Sequence, residues 1–350
     1  MRILELYSGI GGSGLPFKII KAFDINDLAN FVYNSAYNCL DASNRSLSEA
    51  ECSLYDADLW TMSPPCQPFT RMGNQKRGQD VRCSSLLVVI QLIRRTKPPA
   101  ILLENVKGFE GSDAWRHILE TLFECDYDIR QFLLTPLQFG IPNGRLRYYL
   151  VARLRTRSEQ QMFSFGDSID LNGCLREPAS AIMRTPPCGV PPTPNCECPV
   201  CTNKISDMVS TENHFLDYLP FCRPIADFLL PDREIPESLF LGQNELEKYY
   251  TVLDIVTPGS RKSACFTKGY AHRFEGTGSF LEMSQSSRSN STPFPKIRAF
   301  HSKEIARLLC FPEHFDFPEE VSEKQRRRLL GNSINVLVVA HIMKWAFPTV

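Results

Sequence analysis

Residues 61–70 read TMSPPCQPFT, a cysteine framed by prolines where the apolar run Ala57–Met62 gives out. A core cysteine normally sits inside a periodic apolar segment. Pro64, Pro65 and Pro68 each fix their own φ and push the preceding residue toward extended geometry. The loop is therefore preset, with the Cys66 thiol turned outward. At the carboxyl end of a strand in an open α/β sheet, such a thiol stands where ligands bind. It can serve as a nucleophile, and a buried small residue is the competing reading.

Other stretches carry matching chemistry. ELYSGIGGSG, residues 5–14, follows the first apolar run, and its small residues let a backbone turn approach a ligand. Phe23-Asp24-Ile25-Asn26 ends the second run in an acid, the usual partner of ribose hydroxyls. Turn and acid together point to an adenosine-type cofactor. Ile101–Val106 (ILLENV) puts Glu104 at the end of a very apolar strand, where burial would favour a protonated, proton-donating carboxyl. Asn143–Arg147 (NGRLR) sets Arg145 and Arg147 two apart, on one face of a strand. They can hold a carbonyl or a phosphate, or form a solvated edge.

The elements that must position these residues alternate. Up to residue 154, short apolar runs alternate with amphipathic stretches, the pattern of βαβ units and a parallel sheet. The expected strands are Arg2–Tyr7, Ile19–Ile25, Asp58–Met62, Ala100–Glu104, Ile129–Thr135 and Leu146–Leu154. The expected helices are Asp27–Tyr37, Ser84–Arg95 and Ala114–Cys125. Six strands in this order suggest a doubly wound, Rossmann-like α/β sheet. Residues 184–201 (RTPPCGVPPTPNCECPVC) read as an irregular insertion, and Ser284–Pro295 as a Ser-rich loop. Helices are expected again at Ser302–Cys310, Ser322–Leu330 and Asn335–Phe347, the last apolar enough to pack back onto the sheet. The expected division is a catalytic domain of residues 1–154 plus 300–350, with a smaller domain over 155–299.

Composition sets the class. The chain has 350 residues, 43% of them hydrophobic and 22% charged, as in ordinary globular proteins. No apolar run approaches a membrane span, and MRILELYSG enters a strand pattern at once, so no targeting segment is expected. Thirteen cysteines, mostly scattered through apolar segments, fit reduced thiols in a cytoplasmic or also nuclear protein. The 39 basic and 39 acidic residues cancel, which argues against a general nucleic-acid coat but allows a local basic site.

Taken in order, the glycine turn, Pro-Pro-Cys-Gln, Glu-Asn-Val, Arg-x-Arg and Gly331-Asn332-Ser333 resemble the cytosine-C5 methyltransferases that use S-adenosylmethionine. CFTKGYAHRFEGTGSFL, residues 265–281, is similar to the signature of the eukaryotic type-two DNA methyltransferase homologues. That branch methylates transfer RNA, chiefly an anticodon-loop cytosine of aspartate tRNA. The resemblance implies a Rossmann-like S-adenosylmethionine-dependent sheet with a second, smaller target-recognition domain, acting as a monomer on tRNA, with DNA secondary. It implies Cys66 as the nucleophile on cytosine C6, Glu104 at N3, and Arg145 and Arg147 on the base carbonyl. It places Ser8, Ile10, Gly11, Gly12, Asp24, Asp58, Ser63, Asn332 and Ser333 at the cofactor. The last two also read as a helix-capping turn before Asn335.

One departure stands out. The family places about two turns of amphipathic helix between Gly12 and the second strand, where this chain has only SGLPFK. A catalytically silent RNA-binding homologue is therefore the rival of another class. Cys188, Cys196, Cys198 and Cys201 invite a zinc reading, but their spacing holds one standard pair and no second pair lies downstream. The expectation is no metal, with Pro186–Cys201 outside the shared core and dispensable for methyl transfer. Arg71, Lys76, Arg77 and the KQRRR run Lys324–Arg328 can meet phosphates, or the run can be a solvated helix face.

Overall fold

In the computed structural model, residues 1–11, 18–37, 42–43, 56–65, 81–155, 170–178, 180–187, 196–202, 214–283 and 294–347 are described. Cys66, Gly12, Cys188, Arg71, Lys76, Arg77 and most of the SGLPFK and Ser-rich stretches lie outside them.

The alternating segments fold much as their periodicity requires. In chain order they are β1 (Arg2–Leu6), β2 (Lys18–Phe23), α1 (Asp27–Tyr37), β3 (Ala42–Ser43), β4 (Leu59–Met62) and α2 (Val81–Thr96). There follow β5 (Ala100–Val106), α3 (Asp113–Glu124), β6 (Tyr127–Leu134), β7 (Arg147–Leu154), α4 (Leu171–Arg176) and β8 (Ile182–Met183). One sheet takes all eight strands in the order β3-β2-β1-β4-β5-β7-β6-β8. β2, β1, β4 and β5 run parallel, as expected. β7 does not: it inserts antiparallel between β5 and β6. Between β6 and β7 lies only a short 3-10 turn, Pro136–Phe139, and no crossover helix. A parallel return needs a crossover of a dozen or more residues, usually helical, so the strand comes back antiparallel.

Alternate residues of each strand feed opposite faces, the period-two rule of a pleated sheet. On one face Leu4, Leu6, Trp60, Leu103, Tyr148 and Leu150 pack against α2 and α3. On the other, Ile3, Leu59, Tyr149 and Val151 pack against Val338, Ile342 and Met343 of α8 (Val336–Ala346). Asn335 caps α8 by accepting from Val338 N at 3.2 Å, and its Nδ2 donates to Leu308 O at 3.1 Å. Burying each large apolar side chain of α8 contributes about 1.5–3 kcal/mol, which holds this C-terminal helix on the sheet. By length and composition Glu323–Ala346 would suit a membrane span, yet 67% of its apolar window is buried inside the protein.

Between β8 and the C-terminal helices lie α5 (Gln243–Tyr249) and a second sheet of β9 (Asp254–Val256), β10 (Ser279–Glu282) and β11 (Ile297–Arg298), in the order β11-β10-β9. Phe280, Leu281 and Ile297 of this sheet share a core with Ile305 of α6 (Ser302–Leu308), Leu329 of α7 (Glu323–Gly331) and Ile10 of the glycine turn. Val200 is buried, and Cys198 packs against the same core as α8. The end of the Pro/Cys-rich insertion therefore packs on the same hydrophobic core as α8. Its short apolar residues find a surface on a helix that the local sequence cannot announce.

Candidate active site

The strands that lead to the site meet at one edge of the sheet. β1, β2, β4 and β5 run parallel and end there, and antiparallel β7 begins there. A cavity of about 740 Å³ opens at this edge, within the size range of small-molecule sites. Its lining includes Ser8, Ile10, Gly11, Asp24, Ser63, Glu104, Arg145, Arg147, Asn332 and Ser333, ten of the residues singled out from sequence.

The glycine turn is tied to β2. Ser8 N donates to Phe23 O and Gly11 N to Ser8 O, both at 3.0 Å. Asp24 accepts from Gly9 N through Oδ2 and from Asn26 N through Oδ1, each at 2.8 Å. A carboxylate has about four acceptor positions, so Asp24 keeps capacity for a ribose hydroxyl. Gly11 has φ +77° and faces Tyr37, whose hydroxyl would lie 2.9 Å from an added Cβ. Only glycine satisfies both constraints. Tyr7 takes φ 59°, a strained value for a non-glycine residue at the mouth of a ligand site. Ile25 is 78% exposed and lines the cavity beside Asp24, an apolar surface suited to a purine ring.

Asp58 is elsewhere. It stands at the amino end of β4, where its carboxylate accepts from Arg2 N at 2.6 Å and pairs with the Arg2 guanidinium at 3.4 Å. About 16 Å of extended chain, at 3.3 Å per residue, separates it from Ser63 at the cavity edge. Its expected cofactor role is corrected to a strand-end tie.

Opposite the glycine turn, the guanidinium of Arg145 donates to Phe266 O at 3.0 Å, Gly331 O at 3.3 Å, Cys265 Sγ at 3.4 Å and Ser333 O. Both of its terminal nitrogens are engaged by the protein, so Arg145 clamps residues 265–266 to the 331–333 turn. Arg147 Nε faces Glu104 at 3.5 Å, and its Nη2 donates to Cys265 Sγ at 3.5 Å. Burial pushes the Cys265 pKa up, but Arg145 and Arg147 outweigh it and hold the thiol below its ordinary range. Burial, together with the neighbouring Arg147 charge, lowers the Arg145 pKa. Two guanidinium groups here therefore flank one thiol and one carboxyl group.

Cys265 and Asn105 were not singled out from sequence. Asn105 Nδ2 donates to Pro64 O at 3.0 Å, fixing the loop two residues ahead of Cys66. The signal for it was present, since Asn105 directly follows Glu104 in ILLENV. Cys265 lies 118 residues from Arg147, and no local pattern joins them. Of the basic run on α7, Arg326 is spent on Val321 O and Pro318 O and Arg327 approaches Glu323, while Lys324 and Arg328 are exposed.

The profile described as C-5 cytosine-specific DNA methylase matches residues 1–185 and 231–347. The chain belongs to that family. Its methyl donor is S-adenosylmethionine, and the glycine turn, Asp24 and Ile25 fit that group. A human tRNA (cytosine(38)-C(5))-methyltransferase is 35% identical over 388 residues, covering 98% of both chains. A Dictyostelium discoideum DNA (cytosine-5)-methyltransferase is 36% identical over 376 residues, covering 98% of this chain and 93% of that protein. The crystal structure of Schizosaccharomyces pombe Dnmt2 methyltransferase superposes with a TM-score of 0.75 at 33% identity, over 99% of this chain and 98% of that one. The Rossmann-like expectation is met in this fold, with the β7 reversal as its detail.

Proposed function

We propose that this protein transfers a methyl group to C5 of a tRNA cytosine, and that the target is cytosine 38 in the anticodon loop of aspartate tRNA. The observation that carries the reading is the join between Cys265, from the tRNA-branch stretch 265–281, and Arg145 and Arg147 at the cavity. Relatives matched over nearly the full chain and named for tRNA cytosine 38 support it.

In this reading the Cys66 thiolate forms a bond to cytosine C6, which makes C5 nucleophilic. Glu104 hydrogen-bonds or protonates N3, so the charge developing on the ring is neutralised. Bound S-adenosylmethionine would supply the methyl group that C5 takes, with S-adenosylhomocysteine as the leaving product. A base then removes the C5 proton, the 5,6 double bond re-forms, and the thiolate leaves. Arg147, beside Glu104, steadies the carboxylate and the base carbonyl, while Arg145 holds the wall. The target base must leave its stack to enter such a cavity. Asp24 holds the ribose of the donor. The catalytic part is residues 1–154 plus 300–350, extended beyond the expected boundary by α4 and β8, which join its core and sheet. Target recognition lies in the rest of 155–299, and the protein works as a monomer in the cytoplasm and nucleus.

The DNA-named Dictyostelium relative favours a second reading, a DNA cytosine-C5 methyltransferase. Purified protein is given labelled S-adenosylmethionine with tRNA or duplex DNA, and label is mapped to the nucleotide. Label at cytosine 38 of aspartate tRNA is expected. Label in DNA alone selects the second reading, and label in neither leaves a silent RNA-binding homologue.

A further inference from the structure

The Pro/Cys-rich insertion ends in three thiols gathered around one buried imidazole. His341 Nε2 lies 3.8 Å from Cys196 Sγ, 3.2 Å from Cys198 Sγ and 4.0 Å from Cys201 Sγ. All four atoms fall within 4.8 Å of one another. A tetrahedral zinc with Zn–S near 2.3 Å and Zn–N near 2.0–2.1 Å needs S to N separations of about 3.5 Å. The three observed distances bracket that value. We propose that Cys196, Cys198, Cys201 and His341 form a structural zinc site.

The chemistry favours this metal. Three soft thiolates and an imidazole suit zinc, whereas calcium and magnesium take oxygen ligands. Four protein ligands leave no position open for water or substrate, the mark of a structural site. The donors are also locally prepared. Thr202 N donates to Cys198 O at 3.1 Å, closing a turn that brings Cys198 and Cys201 to one side. The His341 ring packs against Phe139 with centroids 4.8 Å apart, which limits its swing. Pro199 presses on Gly140, where an added Cβ would lie 2.8 Å from its Cδ.

The site has a consequence for the cavity. His341 sits on α8 between Val339 and Met343, and both of these line the cavity. Zinc would tie the insertion to this helix and hold the helix in place beneath the donor. Sequence alone set zinc aside because it sought a second cysteine pair. The fourth ligand is instead a histidine 140 positions past Cys201.

The test uses the full chain, purified under reducing conditions without chelator or histidine tag. Elemental analysis is expected to find one zinc per chain. Exchange with cobalt(II) is expected to give thiolate-to-cobalt charge transfer and the d–d bands of a tetrahedral site. The triple replacement Cys196→Ser, Cys198→Ser, Cys201→Ser should lose the metal, with folding read by circular dichroism. His341→Cys should keep it as a four-thiolate site, and Cys310→Ser, outside the cluster, should leave it unchanged. The proposal is overturned if reduced wild-type protein neither carries zinc nor gives the cobalt spectrum. It is equally overturned if the triple variant retains stoichiometric zinc, or if thiol counting shows two of the three cysteines joined as a disulfide. None of these readouts needs methyl transfer, so they stand apart from the proposed activity.

Discussion

Arg147 Nε lies 3.5 Å from Glu104 Oε1, with each side chain 14% exposed. In the antiparallel β5–β7 register Glu104 faces Tyr149 and Arg147 faces Val106, so the two are diagonal neighbours on one face. Burial works against the Arg147 charge, yet Cys265 and Glu104 together raise its pKa. Glu104→Gln keeps the shape and removes the proton-donating group. Its single-turnover rate with labelled donor is expected to fall about 10²–10⁴-fold, the usual worth of positioned acid–base catalysis, while donor affinity changes little. A rate above about a tenth of wild type would remove Glu104 from the chemistry.

Gly331 is pressed against the backbone of Thr267 and Lys268, and its carbonyl accepts from Arg145. A methyl group there has only backbone to displace. Gly331→Ala is expected to cost about 1–3 kcal/mol in urea unfolding, the range of overpacking. Because Asn332 and Ser333 follow directly, donor binding should weaken as well. Unaltered stability and affinity together would contradict this close approach.

Asp24 joins the glycine turn to the end of β2 through Gly9 N. Asp24→Ala is expected to weaken S-adenosylmethionine binding by about 1–3 kcal/mol, the scale of hydrogen bonds to a charged group. Calorimetry decides it, since an unchanged dissociation constant would put the ribose elsewhere.

Arg298 and Glu304 form a fully buried, two-bond ion pair, with both contacts at 2.8 Å. Glu304 also accepts from Leu230 N at 3.0 Å and His301 N at 2.8 Å. Glu304→Ala strands a buried guanidinium and two amides. The expected loss is about 3–5 kcal/mol by denaturant titration, and a loss below about 1 kcal/mol would mean the site relaxes or floods with water.

Cys66 lies outside the described residues, so its role rests on the loop sequence and on Asn105, which holds Pro64 O at 3.0 Å. Cys66→Ala is expected to abolish methyl transfer while leaving donor affinity within about twofold, because only the covalent step is lost. Substantial turnover by this variant would end the assignment of the nucleophile.

What the sequence determined by itself is the local part of this protein. Period-two and helical patterns placed β1, β2, β4, β5, β6, β7 and α1 within a few residues but missed the short strands β3, β8, β9, β10 and β11, because side-chain alternation and capping act over one or two turns. The family motifs marked the cavity's glycine turn, Asp24, Glu104 and Arg147 for the same reason, since each lies near one end of a single strand. Tertiary structure alone decided the relations between distant residues. It reversed β7, because the β6–β7 connection has no helix to carry a crossover. It tied Asp58 to Arg2 and left it out of the cavity lining. It set Cys265 between two arginines more than a hundred residues away, and it gathered three cysteines on His341. Pairings of this kind depend on which faces the packed sheet and helices bring together, and no periodicity in the chain records that choice.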